Sequence, residues 1–301
     1  MPQRKTLVAQ TAPISGRGLF SGTESTIIIA PAARGGIVFR RRDLSGQPEV
    51  SATVNNLVTD PTEIGLPRGF PARNTMLCDP QEKSCFIMTV EHVMSALAGI
   101  GVTDAVVVID GIEVPILDGG AAAFAEHVLH CGLGAVGFVE PMIIDREFVV
   151  EDGRGGKIVA QPTTEACSQF VYELDYGPGA PIEAHRAEWF GDPGVYYGQI
   201  APARTFCLES EANAMRQAGM FEHFTPSDLL VIGDNGVPLD NAFRFHDEPA
   251  RHKLLDLIGD LALIGRPISG VVHASKSGHA LTHRLSRALL SAYGEESFGV
   301  Q

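Results

Sequence analysis

Arg251-His252-Lys253-Leu254-Leu255-Asp256-Leu257-Ile258-Gly259-Asp260 reads as one helix. Leu254, Leu255, Leu257 and Ile258, with Leu261 just beyond, form an apolar stripe at helical spacing. His252, Asp256 and Asp260 stand four residues apart, so one face presents all three, about one turn between neighbours. An imidazole and a carboxylate so placed aim at one point and suit a divalent ion such as zinc. The same spacing also fits a solvated His–Asp pair on an amphipathic helix. A third ligand from elsewhere in the chain decides between the two.

Working outward, residues 88–99 open a second helix, with Thr89 as the expected N-cap, Glu91 in the first turn and Gly99 as the stop. Glu91 and His92 point about 100° apart on it, so one can ligate a metal while the other reaches a water. A carboxylate that complements the helix dipole and an ordinary histidine explain the pair equally well. Upstream, residues 5–12, 25–30, 37–40 and 74–78 read as strands. Gly16, Gly18 and Gly22 fit neither a dinucleotide nor a P-loop spacing, and a hairpin is the expectation there. Residues 104–109 read as a buried strand, Asp110-Gly111 as a hairpin turn and 112–117 as the returning strand. A helix over 121–131 follows, on which His127 and Cys131 read as packing and surface residues. The glycine-rich run 132–141 reads as a linker. Beyond it the strand-rich pattern resumes at 142–150, 157–160 and 169–174. A helix over 209–218, the one at 251–265, a strand at 268–274 and a last helix through Leu289 complete the chain. Both halves thus run strands, helix, short β segment, helix, which predicts an α+β fold of two related layers with the site between them.

Composition bounds the function. The 301 residues fit about two domains, placed at 1–134 and 140–301, and 45% hydrophobic with 20% charged residues suffices for full cores. A formal charge of −13 argues against a nucleic-acid binder that neutralises phosphates. No run reaches membrane-spanning length and no apolar segment follows the first basic residues, so no membrane insertion is expected. Cysteines 78, 85, 131, 167 and 207 are odd in number and lack C-x-x-C spacing, as reduced thiols of a cytoplasmic protein would be.

Six stretches, in order along nearly the whole chain, resemble the UDP-3-O-acyl-N-acetylglucosamine deacetylases, zinc amidases of lipid A biosynthesis. They are Thr89-Val90-Glu91-His92, the run 113–119 (EVPILDG), Ala203-Arg204-Thr205-Phe206, Arg251 to Asp256, Ile258-Gly259-Asp260-Leu261 and the run 276–281 (KSGHAL). The resemblance implies a fold of two layered β-α-α-β domains, each with a small insert, and an active site at their interface. It places the zinc ligands on His92, His252 and Asp256, which supplies the missing third ligand, and the general base on Glu91. It puts the catalytic histidine on His279, its supporting aspartate on Asp260, the oxyanion-stabilising threonine on Thr205 and a substrate-binding lysine on Lys253. Phe206 falls on a residue lining the cleft, Lys276 on a basic position near the UDP end, and Cys78 on a thiol close to the metal. The implied partner is a small acylated UDP-sugar, bound by a monomer.

The second-domain insert, with the passage for the acyl chain, is expected near 176–202, lined by Tyr176, Trp189, Phe190, Val195 and Tyr196. Phe20 stands where the family usually has a histidine, and Thr282-His283 where an asparagine commonly follows, so substrate preference is where this chain departs. A zinc amidase of another acylated sugar nucleotide and a non-catalytic sugar-nucleotide or acyl-chain binder are the rival readings. A binder has no need of Glu91.

Overall fold

The computed structural model describes residues 1–32, 35–71, 73–165 and 168–294. The thiol state expected for Cys167 lies outside the described residues. The first half contains β1 (Gln3–Leu7), β2 (Ile14–Arg17), β3 (Glu24–Pro31), β4 (Ile37–Arg41), β5 (Glu49–Ser51), β6 (Leu77–Cys78) and β7 (Phe86–Ile87). Then come α1 (Glu91–Gly99), β8 (Ala105–Ile109), α2 (Ala122–His130) and β9 (Leu133–Phe138). The alternation of β3, whose Ile27 and Ile29 are fully buried, puts one face of the five-stranded sheet β2-β3-β8-β4-β5 on the core. The expected hairpin at Gly16–Gly22 forms as the antiparallel pair β2–β3.

Two expectations fail here. Residues 112–117 do not return beside β8, because both edges of β8 are already taken, by β3 antiparallel and β4 parallel. The segment instead runs past α1, with a single parallel bridge from Glu113 to Met88. Nor is 132–141 a linker: β9 supplies the antiparallel partner of β1, accommodating its glycines with a bulge opposite Arg4/Lys5.

The second half contains β10 (Met142–Ile143), β11 (Phe148–Glu151), β12 (Lys157–Gln161), β13 (Ser168–Leu174) and β14 (His185–Trp189). After a short α3 (Pro193–Val195) and a π-helical turn (Tyr196–Ile200) come β15 (Phe206–Leu208), α4 (Glu209–Gln217), β16 (Leu230–Ile232), α5 (Glu248–Leu261), β17 (Ile268–Ser275) and α6 (His279–Tyr293). Its sheet runs β11-β12-β17-β13-β14, with β10 also paired to β17. Helix α5 is buried along Leu254, Leu255, Leu257, Ile258 and Leu261. Each such side chain contributes about 1.5–3 kcal/mol by leaving water. That burial offsets the cost of also burying His252, Asp256 and Asp260 on the same helix.

Gly259 sets how closely α5 meets α1. A Cβ there would lie 2.1 Å from the Glu91 carbonyl oxygen and 3.1 Å from the Ser95 nitrogen, so only glycine allows the backbones this near. Gly99, at the other end of α1, meets the Tyr196 ring in the same way, and the Tyr196 hydroxyl is 2.8 Å from Ser95 Oγ. Gly259 thereby sets how near α1 comes to α5, and with it the spacing of His92 from His252, while Tyr196 packs against the other end of α1.

Candidate active site

Helix α1 does not begin on a Thr89 cap. It starts at Glu91, no side chain caps it, and Thr89 adopts a left-handed φ of 59°. That strain is unusual for a β-branched residue and is held by two buried bonds. The Thr89 hydroxyl donates to Glu113 Oε1 at 2.7 Å and accepts from Asn74 Nδ2 at 2.9 Å. The tight turn tips Glu91 and His92 inward, where both are buried.

His92, His252 and Asp256, the three residues the resemblance singles out, converge, with one ligand atom from each within 4.8 Å of the others. Asp256 Oδ1 lies 3.6 Å from His92 Nε2 and 3.4 Å from His252 Nε2. The two imidazoles are nearly perpendicular, with centroids 5.1 Å apart. His252 Nδ1 donates to the Ala203 carbonyl at 3.1 Å, which leaves its Nε2 lone pair for the cluster. Ala203 is held in place by Arg204, whose amide and guanidinium bond the buried Glu248 at the start of α5. Burial lowers the His252 pKa to about 3, against the pull of Asp256, so the ring is neutral at ordinary pH.

The donor set fits a divalent cation. Asp256 Oδ1 is buried and accepts no hydrogen bond, and buried His92 Nδ1 likewise has no partner among the described residues. An unsatisfied carboxylate oxygen facing two Nε2 atoms costs free energy unless a cation completes it. Two imidazoles and one carboxylate, with no further protein ligand among the described residues, would leave a coordination position open, the pattern of a catalytic rather than a structural zinc.

Around this cluster stand further titratable groups. Glu91 Oε2 accepts from the Thr75 amide at 2.9 Å, and burial raises its pKa above the usual carboxylate value. His279, at the start of α6, donates from Nδ1 to Asp260 Oδ2 at 2.8 Å, and its Nε2 is 4.0 Å from Asp256 Oδ2. Burial alone would lower the His279 pKa. The charge and hydrogen bond of Asp260 override it and push the pKa up to about 9, while Asp260 itself is held far below the usual carboxylate range. Lys253 Nζ bonds Asp256 Oδ2 at 2.8 Å and lies 5.8 Å from the Phe206 ring centroid.

Thr205, Phe206, Lys253 and His279 share the wall of a cavity of about 590 Å3. The Phe206 ring is 6.2 Å from that of His252, so the ligand cluster lies directly behind this wall. Phe20 lines the same cavity, its ring packed 5.7 Å from those of Phe70 and Phe221. Its loop is anchored by Glu113, which accepts from the amides of Phe20 and Ser21. The cavity wall carries Arg73, Arg154, Arg216, Lys253 and Arg284 against only Asp152 and Glu211, a cationic bias in a chain of net charge −13.

The expected passage is displaced. Tyr176 lines the cavity, but Trp189 is stacked on Phe170 and Tyr196 is fully buried against Ser95. Phe190 and Trp189 line a separate hollow between the sheets, and Val195 is half exposed. The apolar lining comes instead from β15-α4-β16, including Cys207, Ala212, Leu229 and Val231, a β-α-β unit whose two strands pair in parallel. Two further expected residues stand apart from the cavity wall. Lys276 is ion-paired with Asp175 at 2.8 Å. The Cys78 thiol donates to the Asp79 carbonyl and packs in a small cluster with Ile64, Met76 and Met88. Sequence reasoning missed Thr75, Glu113 and Glu248, whose hydrogen bonds hold Asp260 and the turns around Glu91 and Ala203 in place. Only Glu113 lay in a quoted motif.

The model of the UDP-3-O-acyl N-acetylglycosamine deacetylase family matches residues 4–291. The chain belongs to this family. A UDP-3-O-acyl-N-acetylglucosamine deacetylase of Geobacter sp. (strain M21) is 34% identical over 281 residues, 93% of this chain and 86% of the relative. That of Haemophilus influenzae (strain PittEE) is 32% identical over 295 residues, 97% and 91% of the two chains. That of Myxococcus xanthus (strain DK1622) is 32% identical over 289 residues, 94% and 85%. No helix among the described residues is long and apolar enough to cross a membrane.

Proposed function

We propose that this member of the deacetylase family hydrolyses the N-acetyl group of UDP-3-O-acyl-N-acetylglucosamine, with zinc held by His92, His252 and Asp256. The observation that carries the reading is the orphaned Asp256 Oδ1 facing two Nε2 atoms, with Glu91 and the His279–Asp260 pair on either side. Zinc there supplies Lewis acidity toward an amide carbonyl and a lowered pKa for a water. Glu91, next to a ligand and raised by burial, takes the proton of the attacking water. His279, kept protonated by Asp260, stabilises the oxyanion and returns a proton to the leaving amine, and Thr205 offers its hydroxyl to the same oxygen. Lys253 neutralises Asp256 and faces the substrate with its exposed edge.

The cationic wall supports a diphosphate head in the cavity, with Phe20 and Phe206 as apolar contacts for sugar and acyl groups. Lys276 and Cys78 remain proposed contacts that would require movement toward the cavity. The division into units 1–134 and 140–301 is supported by the two large sheets, each of which draws its strands from one side of that boundary, although β9, which pairs with β1, runs across residue 134. A monomer in the cytoplasm completes the reading. The test is acetate release from the defined substrate by purified protein, its loss on chelation and its return with one equivalent of zinc. Absence of acetate from the zinc-loaded protein, or full turnover after complete metal removal, sinks it.

A further inference from the structure

Thr75 stands between the two proton-handling groups. Its amide donates to Glu91 Oε2 at 2.9 Å, and its hydroxyl donates to Asp260 Oδ1. The other Asp260 oxygen receives the His279 Nδ1 proton at 2.8 Å. A threonine hydroxyl has one proton, so once it is committed to Asp260 the oxygen can only accept. Two imidazole nitrogens compete for it: His279 Nδ1 at 3.3 Å and His283 Nε2 at 3.2 Å. His283 lies one turn after His279 on α6, its ring 6.3 Å away, and its Nε2 is also 3.5 Å from Asp260 Oδ1. All four side chains are buried.

From this network we infer that His283 and Thr75 are a positioning pair for both catalytic groups. The inference rests on the reading that Glu91 and His279 move protons. His283 donates Nε2–H to the Thr75 oxygen and so occupies the acceptor that would otherwise draw His279 Nδ1–H away from Asp260. With the acceptor filled, the Thr75 proton stays on Asp260 Oδ1 and the His279 proton on Asp260 Oδ2. The His279 ring is thereby held with its Nε2 toward the ligand cluster. The Thr75 backbone holds Glu91 in the same register, so one residue spaces the base from the acid.

A purely structural role predicts lost stability with kcat and KM moving together. The positioning role predicts something narrower. In zinc-loaded protein, His283→Leu should lower kcat about tenfold with KM within about twofold, because misorientation acts on the transition state. His283→Gln, whose side-chain amide can take the place of Nε2–H, should recover most of that loss. Thr75→Val keeps the amide to Glu91 and loses the hydroxyl, and should fall at least as far as His283→Leu. The double variant Thr75→Val/His283→Leu should be no slower than Thr75→Val alone.

An activity-independent readout separates this inference from the functional one. The His279 Nδ1–H proton, followed by NMR, should shift in His283→Leu and return in His283→Gln, whether or not acetate is released. Glutamine no better than leucine, multiplying effects in the double variant, or an unmoved His279 proton in His283→Leu overturns the pair. Absence of acetate from the wild type, with the NMR pattern intact, overturns only the proposed reaction.

Discussion

Replacing Gly259 by alanine tests whether the helix crossing sets the site. The new Cβ would sit 2.1 Å from the Glu91 carbonyl oxygen and 3.0 Å from its carbon. These are backbone atoms of a helix and cannot rotate aside, so α1 and α5 must part by about 1 Å to restore ordinary contact. Glu91 and His92 travel with α1, whereas His252 and Asp256 stay with α5. Overpacking of this kind costs about 1–3 kcal/mol, and alanine's helix propensity returns about 1 kcal/mol of it. Global stability should therefore fall by only about 0–2 kcal/mol, a few degrees in Tm for a chain of this size. Chemistry should suffer more, since a 1 Å misplacement costs about 10²-fold in rate. The assays are thermal melting, zinc affinity by competition with a chelator, and kcat/KM for acetate release. An alanine variant with wild-type kcat/KM and zinc affinity would refute the claim that this contact spaces the ligands.

Four further outcomes follow from the geometry of the site. His252→Ala and Asp256→Ala should each purify with much less than one zinc per chain, and full occupancy in both would remove the ligand assignment. His279 is charged up to a pKa of about 9 in the metal-free site, so activity that needs its proton should fall as pH rises toward that value, and at lower pH once a dication adds its repulsion. Its raised pKa also stabilises the fold fully below about 6.5 and loses that contribution as pH rises through about 9, which a melting series on metal-free His279→Gln should lack. Phe20→His should leave kcat nearly unchanged and alter kcat/KM by the worth of one hydrogen bond, about 0.5–1.5 kcal/mol. A kinetically silent variant would make Phe20 a packing residue for Phe70 and Phe221.

Much of the site is legible in the sequence because helical spacing is. His252 and Asp256 face one way for reasons of periodicity alone, and Asp260 joins them one turn on. Their partner His92 is different. Nothing local ties it to residue 252: only the family resemblance points to it, and the close approach of the two helices at Gly259 brings it there. Thr75 was invisible because its role lies in two hydrogen bonds to residues far along the chain, and a threonine near a short strand carries no signal of that. The failed hairpin at 112–117 has a similar cause. Turn chemistry at Asp110-Gly111 predicted a partner for β8, but β3 and β4 from earlier in the chain already held its edges. The misplaced acyl passage reflects composition read without topology: the aromatics of 189–196 are there, but they fill the core and a different hollow.

In the proposed reaction Glu91 acts on a water beside a metal held by His92, His252 and Asp256. The most direct measurement is acetate release by Glu91→Ala carrying one zinc per chain, compared with the wild type at equal zinc content. Loss of the base should leave the metal in place and lower kcat by about 10²–10⁴-fold. A Glu91→Ala enzyme that holds its zinc and turns over at the wild-type rate would exclude Glu91 as the base.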